Sequence, residues 1–376
     1  MFNGAFSNKN VWVSGHTGFK GAWLCQWLVD LGANVYGYSL SPPTQPALFE
    51  QLDLSSRLID ERNDIRDGAA VLRSIETAQP DFVFHLAAQS LVRQAYVQPV
   101  ETYEVNVLGT VNILQGLRSL RKPCAAVFVT TDKCYENREW AYGYRETDPL
   151  GGHDPYSSSK AAAEIAIASF RKSFFKEHSV KIASARAGNV IGGGDWAQDR
   201  IVPDCIRALK AGDPISVRNR NATRPWQHVL EPLSGYLWLG ACLASPRQRA
   251  SGFRDCSDQR LESAFNFGPD QESNRTVAEL VGEILKHMPG VWEDRSVPDA
   301  VHEAYLLQLA IDKARSFLHW SPVWKFPVAV KQTVDWYSSS VGRTVAGDLS
   351  RLTAAQIEQY TTDARALGLP WASSNS

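Results

Sequence analysis

Short apolar runs alternate with longer half-apolar stretches along the first half of the chain. Strands are predicted at Asn10–Val13, Asn34–Tyr38, a piece ending near Ile65, Phe82–Leu86, Ala126–Thr130 and Lys181–Ala185. Helical patterns fall between them at Ala22–Leu31, Gly68–Ala78, Thr102–Leu120 and Ser157–Phe175. Such alternation predicts an α/β fold, a Rossmann-type doubly wound parallel sheet with helices on both faces. Ligands of such sheets bind beyond the carboxyl ends of the strands. Past about residue 190 the pattern loosens into short strands and helices, with returns of chain at Gln227–Cys242 and Ala264–Phe267. Helix signals are absent from Gly188 to Gln198, where Gly192, Gly193 and Gly194 predict a flexible segment that closes over substrate.

Composition narrows the function. The chain has 376 residues, enough for more than one average domain and a large core. Its 39 basic and 40 acidic residues give a formal charge of -1, which argues against a polyanion, so no nucleic acid is expected. Cys25, Cys124, Cys134, Cys205, Cys242 and Cys256 lack CxxC or CxxH spacing. They predict neither a metal site nor a disulfide framework, and point to a reducing cytoplasm. The chain start lacks a basic-then-apolar signal and no apolar stretch reaches about 18 residues, so no membrane span is expected.

Two motifs carry chemistry. Gly15, Gly18 and Gly21 in SGHTGFKG follow the first strand and precede the first helix. Glycines there let the backbone approach a pyrophosphate, and the helix start offers unpaired N–H groups and positive potential. Further on, Tyr156 and Lys160 stand in YSSSK after Asp154-Pro155. If Asp154 caps a helix that Pro155 opens, the two side chains share one face, a turn apart. Making a phenol a base at neutral pH means stabilising phenolate by about three pH units, or about 4 kcal/mol. A nearby ammonium and an oxidised nicotinamide have charge of the right sign. Alone, this Tyr and Lys are as easily a packing pair; the glycine turn upstream favours chemistry. Thr131, Asp132 and Lys133 end an apolar run and so sit at the carboxyl edge of the predicted sheet.

The glycine turn and YSSSK, at this spacing, resemble the extended short-chain dehydrogenase/reductase family over most of the chain. Within it, TDK after a strand, GGHDPYSSSK, RAGNVIGGGDWAQDRIVPD and RPWQHVLEPL are similar to the CDP-D-glucose 4,6-dehydratases. The resemblance implies an NAD-binding domain over residues 1–187, rejoined by the returns near 227–242 and 264–267. A smaller C-terminal lobe, mainly 188–345, would bind the nucleotide-sugar; residues 346–376 form a tail without an assigned role. NAD would lie against Gly15, Thr17, Gly18, Phe19, Gly21, Ser39, Asp64, Ile65, Leu86, Ala87, Gln89 and Asn106, as well as Tyr156 and Lys160. CDP-glucose would meet Gln89, Asn189 and Arg224, with Arg200 and His302 as weaker candidates. The resemblance also implies a homodimer or dimer of dimers, with Thr102–Leu120 and Ser157–Phe175 pairing across a two-fold axis.

Two departures stand out. An NAD-selecting fold usually ends its second strand with an acid for the ribose hydroxyls, yet Val35–Pro43 contains no acid, and no Arg for a 2'-phosphate. Ser39 is the alternative ribose partner. Lys133 stands where dTDP-glucose dehydratases typically have an acidic base for carbon 5. Burial and the nicotinamide charge favour its acting as a base and Asp132 opposes it; a plain Lys133–Asp132 pair is the simpler reading, but the resembled CDP-glucose dehydratases also have Lys here, which implies a catalytic role for Lys133 as the carbon 5 base.

The implied reaction converts CDP-D-glucose to CDP-4-keto-6-deoxy-D-glucose. Tyr156, assisted by Thr131, takes the proton of the carbon 4 hydroxyl as hydride leaves; Asp132 protonates the hydroxyl leaving carbon 6. Two other readings share the dinucleotide site: a nucleotide-sugar 4-epimerase, which has no need of Asp132 and Lys133, and a non-catalytic sensor, which has no need of Tyr156.

Overall fold

The computed structural model describes residues 1–244, 261–296, 307–340 and 348–373. Among these, seven parallel strands form one sheet: β1 (Asn10–Ser14), β2 (Asn34–Ser39), β3 (Ile59–Arg62), β4 (Phe82–His85), β5 (Cys124–Val129), β6 (Val180–Ala187) and β7 (Ala264–Phe267). Their spatial order is β7-β6-β5-β4-β1-β2-β3. Ser14 of β1 is in register with His85 of β4, and the strand order reverses between these two. Loops leaving neighbouring strands in opposite directions open a crevice at that point.

Alternate residues of each strand feed opposite cores. Val11 and Val13 face one, Trp12 the other; Ala125, Val127 and Val129 divide from Ala126 and Phe128 in the same way. A strand covered on both faces needs apolar residues throughout, which is why these strands read as unbroken runs. One face is covered by α2 (Gly68–Ala78), α3 (Gly109–Leu117) and α4 (Pro155–Phe174), through Val71, Ile75, Ile113, Leu114 and Ile167. The other is covered by α1 (Phe19–Asp30) and α6 (Leu230–Ala244), with α5 (Ile201–Ala211), α7 (Phe326–Ser339) and α8 (Asp348–Ala366) extending that core.

The stretch Thr102–Leu120, expected as one helix, is three pieces. Pro99–Tyr103 is helical, Glu104–Leu108 is a π-helical turn, and α3 follows. Asn106 lies in the π turn, buried, a placement in keeping with the use of π-bulges at functional sites. The third strand stops at Arg62, because Asp64 turns the chain by accepting from the Arg66 amide at 2.9 Å.

The flexible glycine segment is a correction. Gly192, Gly193 and Gly194 are buried, and a methyl on Gly193 would sit 2.0 Å from Trp336 Cγ. Trp23 Nε1 donates to the Gly193 carbonyl at 3.0 Å. Gly193 lets two tryptophans close on its backbone, while Gly192 meets Val229 and Phe19 and Gly194 meets Leu48, so this is packed core and not a lid.

Helix α8 joins the same core. Tyr360 stacks on Trp371 with ring centres 5.7 Å apart, and Trp371 on Phe2 at 5.3 Å. Tyr360 also donates to Glu231 of α6 at 2.8 Å. Among the described residues, no helix is long and apolar enough to cross a membrane.

Candidate active site

The turn from β1 into α1 is built for close backbone approach. Gly15 has φ +78°, and a methyl there would lie 2.7 Å from the Ala87 amide nitrogen. A methyl on Gly21 would lie 2.0 Å from the Gly15 carbonyl oxygen. Gly18 starts α1 without any side-chain cap, so the first N–H groups of the helix are open to an anion. Phe19 packs towards Gly192, and Thr17 Oγ1 meets Ser39 Oγ at 2.9 Å and donates to the Leu40 carbonyl at 3.0 Å.

The acid absent from β2 is supplied next door, but for another purpose. Asp60 of β3 holds His16 Nε2 at 2.8 Å and Arg62 at 2.7 Å. The imidazole fills the space beside Gly37, where a methyl would meet its Cδ2 at 2.4 Å. Asp64, by contrast, is held by Arg66 at 2.6 Å, and the Ile65 side chain is buried against Gly109. Only the backbone of those two residues remains to border a ligand.

Beneath the crevice, Ser14 Oγ accepts from the Leu86 and Ala87 amides, each at 3.2 Å. Its proton therefore goes to His85 Nδ1 at 2.7 Å, which leaves Nε2–H to donate to Thr110 Oγ1 at 3.0 Å. Burial, with Lys160 adding, pushes His85 down to about 3, so the ring is neutral. Asn106 accepts from the Gln89 amide at 2.9 Å, donates to the Gln89 carbonyl at 3.0 Å and donates to Ser159 at 2.9 Å. It thus ties the chain after β4 to the YSSSK turn. Gln89 spends its own side chain locally: Nε2 donates to Thr102 at 2.9 Å, and Oε1 accepts from the Leu91 amide at 2.6 Å.

Helix α4 starts as its sequence predicts. Asp154 accepts from the Ser157 amide at 2.9 Å with Pro155 in the first turn, which sets Tyr156 and Lys160 on one buried face. Lys160 Nζ donates to the Val129 carbonyl at 3.4 Å. Thr131 caps the short turn Asp132–Cys134, donates to Asp132 Oδ1 at 3.0 Å and acts on the Tyr156 phenol. Burial raises the Asp132 carboxyl above its usual range, against Lys133, the Thr131 bond, Arg224 and Lys20. Burial also lowers Lys160 to about 8, against Glu164 and Cys134. Tyr156 is pushed up to about 12, chiefly by burial; Thr131 and Arg200 oppose, Asp132 and Asp154 add. The chain's own charges thus leave Tyr156 a phenol at neutral pH, and the expected phenolate needs a further positive charge beside it.

The substrate candidates divide. Gly188 packs so closely that a methyl there would lie 2.6 Å from Asp132 Oδ2, which brings Asn189, the next residue, to the site. Arg224, in the strand Thr223–Pro225, acts on Asp132. Arg200 is paired with Asp195 at 2.9 Å and acts on Tyr156. His302 lies outside the described residues.

Two residues of the site went unread in the sequence. Lys20, in the first turn of α1, lies among Arg200, Asp132 and Lys160, and burial first, then Arg200 and Lys160, lower it to about 8. A lysine inside an otherwise apolar GFKG was its signal. Glu164, a turn beyond Lys160, joins Thr130, Ser184 and Arg186 in the core; four-residue spacing on one helix was the available clue.

Known proteins show the same arrangement of sequence and fold. Residues 12–333 match the family model described as GDP-mannose 4,6 dehydratase. The chain is 43% identical over 344 residues to the CDP-glucose 4,6-dehydratase of Salmonella typhimurium, covering 89% of this chain and 92% of that one. It is 26% identical over 346 residues to a dTDP-glucose 4,6-dehydratase of Xanthomonas campestris pv. campestris, covering 86% and 92%. Among solved structures, the dTDP-glucose 4,6-dehydratase DesIV of Streptomyces venezuelae, with NAD bound, has a TM-score of 0.74 at 22% identity, covering 88% of this chain and 98% of that one. UDP-glucose 4-epimerase of Thermotoga maritima has the same TM-score at 19% identity, covering 88% and 99%.

Proposed function

The chain belongs to the GDP-mannose 4,6 dehydratase family, and from that premise we propose that it dehydrates CDP-D-glucose to CDP-4-keto-6-deoxy-D-glucose with NAD as a recycled cofactor. One observation carries the reading: Thr131 donates to a buried Asp132 whose carboxyl is pushed towards its neutral form, and the same side chain acts on the Tyr156 phenol. Oxidation and elimination groups thus share one oxygen-binding point. An epimerase has no use for that acid, and a sensor none for the Tyr156–Lys160 pair.

The groove suits a dinucleotide. Gly15 and Gly21 leave a cradle that any Cβ would fill, and the uncapped start of α1 faces it. Gly18, Phe19, Leu86 and Ala87 would line the pyrophosphate, with Thr17 and Ser39 towards the ribose. Bound there, oxidised nicotinamide supplies a hydride acceptor, the positive charge that Tyr156 otherwise lacks, and later the hydride donor.

The protein's groups then divide the proton work. Tyr156 receives the carbon 4 hydroxyl proton while Thr131, its hydroxyl turned from Asp132 to the substrate, hydrogen-bonds the same oxygen. Lys160 holds positive charge beneath them. Lys133 takes the carbon 5 proton, made acidic by the new 4-keto group. Asp132, neutral, gives its proton to the hydroxyl leaving carbon 6, and water departs. Arg224 and Arg200 neutralise the diphosphate, Asn189 holds the sugar nucleotide near Asp132, and Lys20 adds positive charge at the inner end.

Purified protein given CDP-glucose and NAD should form a 4-keto product without net NADH. Net NADH accumulation, or a 4-epimer as sole product, would overturn the reading. The enzyme is proposed to act in the cytoplasm, where the buried free thiols of Cys25, Cys124, Cys134 and Cys205 stay reduced. A homodimer is proposed through exposed Val97, Val100 and Leu108 together with Ile165 of α4; sedimentation of a monomer would exclude it.

A further inference from the structure

Glu164 is a carboxylate with no part in the proton work above, yet it is buried one turn beyond Lys160 on α4. Thr130 Oγ1 donates to its Oε1 at 2.5 Å, while Ser184 Oγ and Arg186 Nη2 reach its Oε2 at 2.9 Å and 2.8 Å. Lys160 Nζ meets the carbonyl of Val129, the residue before Thr130. Carboxylate and ammonium therefore hold the same two-residue exit of β5 from one helix face. Arg186 is anchored in turn, donating to the Tyr135 hydroxyl at 2.8 Å and the Glu146 carbonyl at 3.2 Å. A buried ion pair adds little net stability over an apolar filling of the same volume, so packing alone is a weak reason for Glu164.

We propose that Glu164 is a positioning residue of the reaction, keeping the Lys160 ammonium charged and fixed under Val129 and Thr130 so that Lys160 can support Tyr156. The proposal rests on the Tyr156–Lys160 reading. The other groups facing Lys160 cannot take this role. From β4, His85 is neutral. From the turn after β5, burial keeps the Cys134 thiol protonated, and the Asp132 carboxyl is pushed towards its neutral form. Lys20 of α1 repels Lys160, and Tyr156 on α4 itself holds its proton. Glu164 stays ionised: burial raises its carboxyl, but Arg186 first, with Thr130 and Ser184, brings it below the usual range.

Glu164→Gln keeps the shape and removes the charge, so Lys160 should lose its proton at lower pH. The test is pulse acetylation of the purified enzyme with acetic anhydride across pH, with Lys160 read by peptide mass spectrometry. The labelling midpoint should fall by about one pH unit, and the alkaline limb of kcat should move down with it, KM changing less than about twofold. A folded variant with an unmoved midpoint overturns the proposal. A purely structural Glu164 would lower Tm without moving it. If Glu164→Gln does not fold, Glu164→Gln with Arg186→Met buries neither charge and must show the same downward shift, or the proposal fails. Labelling needs no sugar nucleotide, so a moved midpoint in an enzyme inert to CDP-glucose would sink the dehydratase reading alone.

Discussion

Thr131 Oγ1 donates to Asp132 Oδ1 at 3.0 Å and acts on the Tyr156 phenol, so one threonine stands between the group proposed for oxidation and the group proposed for elimination. Separating the two steps is the sharpest use of this geometry. Asp132→Asn keeps the volume and loses the proton donor, so kcat should fall about 10²–10³-fold. In a single turnover, reduced coenzyme should now accumulate before product appears, because the first oxidation is less affected. Unchanged turnover would remove Asp132 from the role of acid.

Tyr156→Phe removes the proton acceptor and leaves the helix intact, since Asp154 and Pro155 still start it. Turnover should drop at least about 10³-fold, with the coenzyme still bound. Assays of both product and bound nucleotide check this; a Phe variant with more than about a tenth of wild-type kcat contradicts it.

Gly21→Ala places a methyl 2.0 Å from the Gly15 carbonyl. The overlap costs about 1–3 kcal/mol, and pushing the turn outward spoils the pyrophosphate cradle. The variant should be folded by circular dichroism yet release the dinucleotide on gel filtration, with affinity at least about tenfold weaker. Retained coenzyme at wild-type ratio would show that the turn does not hold it.

Glu231 predicts an unusual pH dependence of stability. The side chain is fully buried and its carboxyl is pushed up from 4.5 to about 7 by burial, despite accepting from the Trp324 and Val323 amides and from Tyr360. Between those values the folded protein holds a proton that the unfolded chain has released. Stability is therefore full below about 4.5 and is lost as pH rises through about 7, by on the order of 3 kcal/mol. Denaturant midpoints of Glu231→Gln should lack this decline. A wild-type midpoint that rises across the same window would reverse the sign and refute the assignment.

Much of the site was legible locally. Gly15, Gly18, Gly21, Asp154-Pro155, Tyr156 and Lys160 act through spacings of three or four residues within one turn or helix, and such spacings are written in the chain. That the Ile65 side chain is spent on packing was not legible, because nothing nearby says that Gly109, 44 positions on, leaves a slot for it. Gly192, Gly193 and Gly194 were misread as a hinge because Trp23 and Trp336, which press on the middle one, are distant in sequence. Gln89 was assigned to ligand, and only the fold shows both ends of its amide spent on Thr102 and Leu91.

By itself, the sequence determined the alternation of short apolar runs with helical patterning, hence a doubly wound parallel sheet, and the identity of the groups proposed for proton chemistry, because both follow from residue type at short range. The tertiary structure decided their charge. Whether Asp132 keeps its proton, how far Lys160 is pushed towards neutrality, and that Glu164 stands against that push depend on burial and on partners drawn from β4, β5, β6 and α1. Desolvation and Coulomb interaction act through space, and distance in space is set only when the chain has folded.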